Sequence, residues 1–291
     1  MQQLTNLDAS FLSLENDESP MHVGGVLIFD APAHGRMTPE RLREHVFARL
    51  QTARVFRQRV VMPVWHLDAP WWVEDENFCL DNHLRYEKVD APLTNEGLQA
   101  LSAEFFSTPL PRDRPLWELV FVEPASGAHR RLPRQGGAFA LLIKVHHAAL
   151  DGVSAEAVIA GLLDTSVTPR TLPRDEWLPE ALPRQSALLL QQLGKVPAWQ
   201  AQGRELLHSA RQLGQRFLQR AVGRDERALP YYFTAPRTPF NTPVTQERLY
   251  CTAELSLPRI KQLKNRIPGL TVNDVVLAIC AGAARRYLEK E

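Results

Sequence analysis

Cysteine is scarce in this chain. The three present, Cys79, Cys251 and Cys280, are odd in number, far apart and without the paired spacing of a metal site. That pattern argues against a disulfide framework and against a zinc centre, and it suits a reducing cytoplasm. A dominant charge is also lacking: 34 Lys+Arg stand against 33 Asp+Glu, a net charge of +1. No global field exists to gather nucleic acid, which is not an expected partner. No run approaches the ~20 apolar residues that cross a bilayer. The best stretch, residues 138–145, is short and contains Lys144. The opening MQQLTNLDASFLSLENDESPMH has no basic segment followed by an apolar one, so it does not read as a secretion signal. Neither GxGxxG nor a P-loop occurs, leaving dinucleotide and ATP chemistry without support. No metal and no cofactor is expected. What remains is an ordinary globular balance, 44% hydrophobic and 23% charged over 291 residues, long enough for roughly two domains.

Residues 1–165 alternate strand-like and helix-like patterns, the mark of a mixed α/β layer structure, and form the first expected domain. Strands are expected at Val23 to Phe29, His83 to Val89, Trp117 to Val122 and Phe139 to His146. Thr38-Pro39-Glu40 opens a helix, because Thr is a good N-cap and Pro is tolerated at the first helical position; Leu42, Val46 and Leu50 continue on one face. Leu98, Leu101, Phe105 and Phe106 mark a second helix, and Ser154 suits the cap of a third from Ala155 to Leu163. Gly24-Gly25 in the first strand marks a bulge or a close backbone approach.

Residues 166–245 read as a helical, proline-rich linker, with nine prolines between Pro169 and Pro243. Within it Leu206, Leu213 and Phe217 share a helical face, and residues 184–224 carry six Arg and one Lys against the single Glu205, a local charge of +6. Such a helix either packs on its own protein with solvated arginines or lies on an anionic membrane or lipid surface. Residues 246–291 then supply an alternating strand, Arg248 to Leu257, and a helix capped by Thr271 that runs through Asn273, Val276, Ala281 and Tyr287. One strand and one or two helices cannot bury a core. The second domain is therefore expected to be only begun, its remainder lying in a longer chain or a second one.

The chemistry concentrates at Lys144-Val145-His146-His147-Ala148-Ala149-Leu150-Asp151-Gly152, an HHxxxDG pattern at the end of a strand. Successive strand residues face opposite sides, so one of two adjacent histidines can point into a given cleft. Imidazole titrates near neutrality and can take the proton of a hydroxyl as its oxygen attacks a thioester carbonyl. His147 is the expected base and is expected to face a tunnel rather than bulk water. His146 fits an orienting or packing role. Asp151 is placed to order the turn, and Gly152 to allow positive φ or close approach.

This motif is shared by the CoA-dependent acyltransferase superfamily, whose fold resembles chloramphenicol acetyltransferase and which includes peptide-synthetase condensation domains. Three further segments narrow the resemblance: Leu7-Asp8-Ala9-Ser10-Phe11 with Pro20-Met21-His22-Val23-Gly24, then Arg114-Pro115-Leu116-Trp117-Glu118, then Val272-Asn273-Asp274-Val275. Together, in this order, they resemble the bacterial wax ester synthase/diacylglycerol acyltransferase family. The resemblance implies transfer of a long-chain acyl group from acyl-CoA, a substrate rather than a cofactor, to a fatty alcohol or diacylglycerol in storage-lipid synthesis. It implies direct attack with His147 as base and no acyl-enzyme, and a cytoplasmic protein, peripheral at the inner membrane face or at lipid droplets. It also implies that residues 1–291 alone are inactive, for want of the second half.

Asn273 matches the family's asparagine, whose amide could donate to a developing oxyanion; beside Thr271 it fits equally well the service of the helix N-terminus. Asp274 suits the ordering of that helix start. Pro115, Leu116 and Trp117 fit a pocket wall or core support, since none is an acid or base near neutrality. Two other readings compete: a condensation-like enzyme fed by a carrier protein, and a non-catalytic lipid-surface protein using the basic helix.

Overall fold

A computed structural model describes residues 1–30, 36–63, 68–89, 95–124, 139–150 and 155–290, apart from 165, 167, 174, 180–185, 188–189, 191–193, 195–210 and 212–236. The expected linker helix around Leu206 to Val222, and Asp151, Gly152 and Ser154, lie outside the described residues. The chain divides into two compact units: Met1–Ala201 with Thr245–Tyr250, and Gln202–Val244 with Cys251–Glu291.

The first unit is built on a four-stranded sheet. Its strands are β2 (His22–Phe29), β5 (Leu84–Val89), β6 (Trp117–Pro124) and β7 (Phe139–His146), in the order β2-β7-β6-β5. β7 runs antiparallel to both neighbours, whereas β5 and β6 are parallel. All eight residues of β7 are buried, as a central strand covered on both faces requires. Its alternation sorts them. Phe139, Leu141, Ile143 and Val145 join Leu42 and Val46 of α2 (Pro39–Phe47) and Val158 and Leu162 of α4 (Ala155–Leu162) in one core. Ala140 and Leu142 face the other way, against Leu98 and Phe105 of α3 (Asn95–Ser107). The four expected strands and the helices at 38–50 and 98–106 therefore appear close to where the sequence placed them.

The start of α2 follows its sequence signal: Thr38 caps, its hydroxyl accepting the Arg41 amide at 3.3 Å, with Pro39 in the first turn. Gly24 lies in an unbroken register opposite Lys144. A methyl there would overlap the Ile143 carbonyl oxygen and the Phe106 ring, while at Gly25 it would meet nothing. Close approach, not a bulge, accounts for Gly24.

Four elements carry weaker sequence signals. α1 (Asn6–Leu14) is capped by Thr5, and a small antiparallel sheet joins β1 (Gln2–Gln3), β4 (Trp71–Glu74) and β3 (Gln58–Val61) in the order β1-β4-β3. α1 and this sheet share a third core made by Leu4, Leu12, Val60, Trp72, Leu116 and Ala148.

In the second unit, the described residues include two regular helices, α5 (Leu257–Lys264) and α6 (Val272–Leu288). The strand expected from Arg248 to Leu257 is not formed: residues 247–256 have no regular structure and Leu257 begins α5. A period-two pattern makes a strand only with a neighbour to pair its backbone and cover one face. Leu249 and Leu255, 95% and 54% exposed, lack that cover. No helix among the described residues is long and apolar enough to cross a membrane.

Candidate active site

The two histidines part company at the end of β7. His146, the last strand residue, is fully buried on the α3 side; His147 opens a 3-10 turn, His147–Leu150, and is exposed. The expected tunnel around His147 is not built by the described residues of this unit. Its imidazole instead stacks on Phe11 of α1, with ring centroids 3.9 Å apart and planes 24° from parallel. One face of the ring is thus supported and its rim is open. Behind it, Ala148 is fully buried in the core shared with α1.

Backbone hydrogen bonds hold the turn on both sides. The His146 amide donates to the Leu116 carbonyl at 2.9 Å and the His147 amide to the Met21 carbonyl at 2.8 Å. The Ala148 amide donates to His146 Nδ1 at 3.0 Å. An imidazole nitrogen that accepts an N–H carries no proton, so neutral His146 bears its hydrogen on Nε2. That atom faces Glu15, whose Oε1 lies 3.4 Å away, close enough for electrostatic contact but outside hydrogen-bond geometry.

Glu15 is the residue the sequence reading overlooked. It is the C-cap of α1 and its side chain is 5% exposed. Oε1 accepts the Met21 amide at 3.0 Å; Oε2 accepts from Arg112, whose Nη2 lies 2.8 Å away and also donates to the Leu12 carbonyl at the end of α1. Burial alone would raise the Glu15 carboxyl, but its contacts with His146, the Met21 amide and Arg112 outweigh it and bring the pKa down to about 2. The available signal was a carboxylate at a helix C-terminus, where the dipole favours cations; such a residue needs a compensating partner, here Arg112.

His22 lies opposite His146 in the β2–β7 register, and its Nε2 is 3.0 Å from the Phe106 carbonyl. Burial, then the charge of Lys144, lowers its pKa to about 4, so it is neutral at physiological pH. Lys144 is itself fully buried; Nζ donates to the carbonyls of Phe105 at 2.9 Å and Thr108 at 2.8 Å, and lies 3.1 Å from Glu118 Oε2.

Pro115, Leu116 and Trp117 are all buried, Leu116 and Trp117 within the hydrophobic cores. Leu116 and Trp117 are at most 1% exposed. Trp117 Nε1 donates to the Phe56 carbonyl at 3.1 Å and its ring stacks on His83 with centroids 4.5 Å apart. An apolar cavity of about 390 Å³ lies where α2 and α4 cover the sheet, lined by Leu27, Leu42, Leu141, Ile143 and Leu162. His45 borders it, its Nε2 2.8 Å from the Leu162 carbonyl and its pKa lowered by burial.

In the second unit, Thr271 and Asp274 close a capping box on α6: the Asp274 amide donates to Thr271 Oγ1 at 3.2 Å and the Thr271 amide to Asp274 Oδ2 at 2.8 Å. Asp274 does order the helix start. Asn273 is exposed and takes no part in that box, so the capping role open to it is already filled. No cluster of three His, Cys, Asp or Glu side chains among the described residues could hold a metal.

The sequence model of the wax ester synthase/diacylglycerol acyltransferase catalytic domain matches residues 4–276. The chain belongs to this family. Among wax ester synthase/diacylglycerol acyltransferase relatives, a putative diacylglycerol O-acyltransferase of Mycobacterium tuberculosis is 32% identical over 99% of the chain, which spans 55% of that protein. The O-acyltransferase WSD of Acinetobacter baylyi is 30% identical, with 99% of the chain and 60% of the relative covered. A probable diacylglycerol O-acyltransferase of M. tuberculosis is 32% identical over 91% of the chain and 96% of its own length. The solved wax ester synthase/diacylglycerol acyltransferase of Marinobacter aquaeolei superposes with a TM-score of 0.61 at 29% identity, covering 99% of this chain and 61% of that one. The α/β fold is thus the family's, and the chain spans little more than half the length of most of these relatives.

Proposed function

We propose that the chain serves acyl-CoA-dependent O-acyl transfer, moving a long-chain acyl group to a fatty alcohol or a diacylglycerol, with His147 as general base. The observation that carries this reading is the placement of His147. It is the first residue beyond a fully buried strand, its backbone is clamped to Met21, and its imidazole is supported on one face by Phe11 and open at the rim. A neutral imidazole so held takes the proton of the acceptor hydroxyl as the oxygen attacks the thioester carbonyl. The carbonyl electrons move onto oxygen; as they return, the C–S bond breaks and the sulfur of CoA receives the proton. No acyl-enzyme and no cofactor is needed.

His146 acts as the orienting member of the pair. Asp151 and Gly152 are assigned to the turn, and Asn273, free of capping duty, to donating a hydrogen bond to the oxyanion. Peripheral contact with a membrane or lipid-droplet surface through the basic segment 184–224 accompanies this reading, since both acceptors are lipids. The test is formation of labelled ester from radiolabelled palmitoyl-CoA and hexadecanol or a diacylglycerol, assayed with the chain alone and with the carboxy-terminal half of a relative supplied as a separate chain. Replacing His147 by Ala should lower acceptor-dependent ester formation ~10²–10⁴-fold, the usual worth of a general base. Undiminished transfer by His147→Ala would reject the assignment.

A further inference from the structure

We infer that Glu15 is a positioning residue for His147, acting through His146 and Met21. The catalytic part of this inference rests on the function proposed above; the positioning part does not.

The argument starts from where the backbone donors around His147 go. The His147 amide is held by the Met21 carbonyl, and the Met21 amide is held in turn by Glu15 Oε1. The next amide, Ala148, is held by His146 Nδ1, and the Nε2 side of that ring faces the same Glu15 oxygen. One carboxylate oxygen therefore stands behind both clamps on the turn, one through a peptide and one through an imidazole. His146 needs an acceptor there. Its Nε2–H is fully buried and makes no hydrogen bond, and an unsatisfied buried donor is costly enough to pull a side chain out of place. Closing the 3.4 Å separation by a few tenths of an ångström completes the bond, a tightening common when catalytic sites bind their ligands.

Glu15 is itself immobilised. Arg112 holds its second oxygen and ties it to the C-terminal carbonyl of α1 at Leu12, one helix position from Phe11, the ring on which His147 stacks. Arg112, Glu15, His146 and Met21 thus support the base from behind while α1 supports its face. His22, opposite His146 in the register, has a buried Nδ1 that makes no hydrogen bond, to His146 Nε2 or to any other described group, and Lys144 is a donor only. The His22 Nε2 partner is the Phe106 carbonyl, and Lys144 is a donor to Phe105 and Thr108.

Two readouts test this, and the first is independent of activity. Amide hydrogen exchange in the 291-residue chain is compared between wild type, Glu15→Gln and Glu15→Ala. Glu15→Gln keeps an acceptor oxygen but not its charge, and neutral hydrogen bonds are about half as strong as charge-assisted ones. We expect exchange at His147 and Ala148 to rise about three- to tenfold in Glu15→Gln, and more in Glu15→Ala, while Leu142 and Val120 in the sheet stay unchanged. Unaltered exchange at both amides in Glu15→Gln, or a rise spread evenly over the sheet, overturns the inference. Should Glu15→Ala fail to fold, Glu15→Gln alone decides.

The second readout is transfer from palmitoyl-CoA to hexadecanol. Glu15→Gln should lower kcat about tenfold with KM for palmitoyl-CoA unchanged, and should have no further effect in a His147→Ala background, because residues acting as a unit are not additive. A loss that adds fully to that of His147→Ala overturns the inference. Absence of transfer in wild type, both alone and with the carboxy-terminal half of a relative supplied as a separate chain, would strike the proposed function and leave positioning to be decided by exchange.

Discussion

Replacing Lys144 by Met should destabilise the first unit even though it removes a buried charge. Lys144 is fully buried in the central strand, and burial is the main influence lowering its pKa, with Glu118 opposing. Buried ion pairs can often be exchanged for apolar side chains at no loss, provided every partner is exchanged together. Here the partners remain. The carbonyls of Phe105 and Thr108 at the end of α3 lose their donor; the buried Phe105 carbonyl, left unsatisfied, costs ~1–3 kcal/mol, and the carbonyl of exposed Thr108 costs less because water can reach it. Glu118 is less affected, since Arg85 Nε stays 3.1 Å from it. The contact of Nζ over the Phe105 ring, 4.4 Å from its centroid, is also lost, a further ~0.5–2 kcal/mol. Release of the ammonium from burial offsets part of the sum, and Met fills most of the space. We expect a net loss of about 2–4 kcal/mol, a fall in Tm of roughly 5–12 °C for a unit of this size. Urea denaturation followed by circular dichroism would measure it, with Glu118→Gln as a milder comparison. A Lys144→Met protein as stable as wild type would show that the α3 carbonyls find other donors and that the lysine does not tie that helix to the sheet.

The two glycines of β2 should respond oppositely to a methyl group. Gly24→Ala meets the Ile143 carbonyl and the Phe106 ring and should cost about 1–3 kcal/mol in urea unfolding, while Gly25→Ala, in open space, should be neutral or stabilising by up to ~1 kcal/mol. Acid should weaken the unit in two stages. His22 has a folded pKa of about 4 against an ordinary 6.5, so as pH falls below 6.5 the unfolded chain takes up that proton first. Stability is lost progressively down to pH 4, by about 2–3 kcal/mol after allowing for solvent screening. Glu15, at about 2 against an ordinary 4.5, contributes stability above 4.5 that is lost as pH falls towards 2, about 1–2 kcal/mol after the same allowance. Urea midpoints measured against pH should therefore slope between 6.5 and 4 in wild type and less steeply in His22→Gln, where His45 and His83, also lowered by burial, still contribute; an unchanged slope would contradict a buried neutral His22.

Four strands of the main sheet, two helix caps and the family are legible in the sequence alone. Val23 to Phe29, Trp117 to Val122 and Phe139 to His146 carry enough apolar side chains to demand burial, and they became β2, β6 and β7. Thr38-Pro39 and Thr271 with Asp274 are local devices, satisfied by residues at most three positions away, and each caps its helix as its spacing implies. The order of the motifs is enough to place the chain among the wax ester synthases and diacylglycerol acyltransferases.

Tertiary structure decided what depends on neighbours distant in sequence. The alternating segment from Arg248 to Leu257 has the right period for a strand but no strand beside it, because backbone pairing is a property of two segments and not of one. The contacts of Trp117 with Phe56 and His83 join residues 61 and 34 positions away, which no local pattern records. That His146 is buried and His147 exposed fits strand alternation, but the support behind them does not follow from it. Glu15 is 131 positions from His146, and only the docking of α1 against the turn after β7 brings its carboxylate to that imidazole. Local chemistry wrote the elements; the charges and donors that hold the turn after β7 in place were assembled by long-range packing, where no sequence periodicity records which residue will meet which.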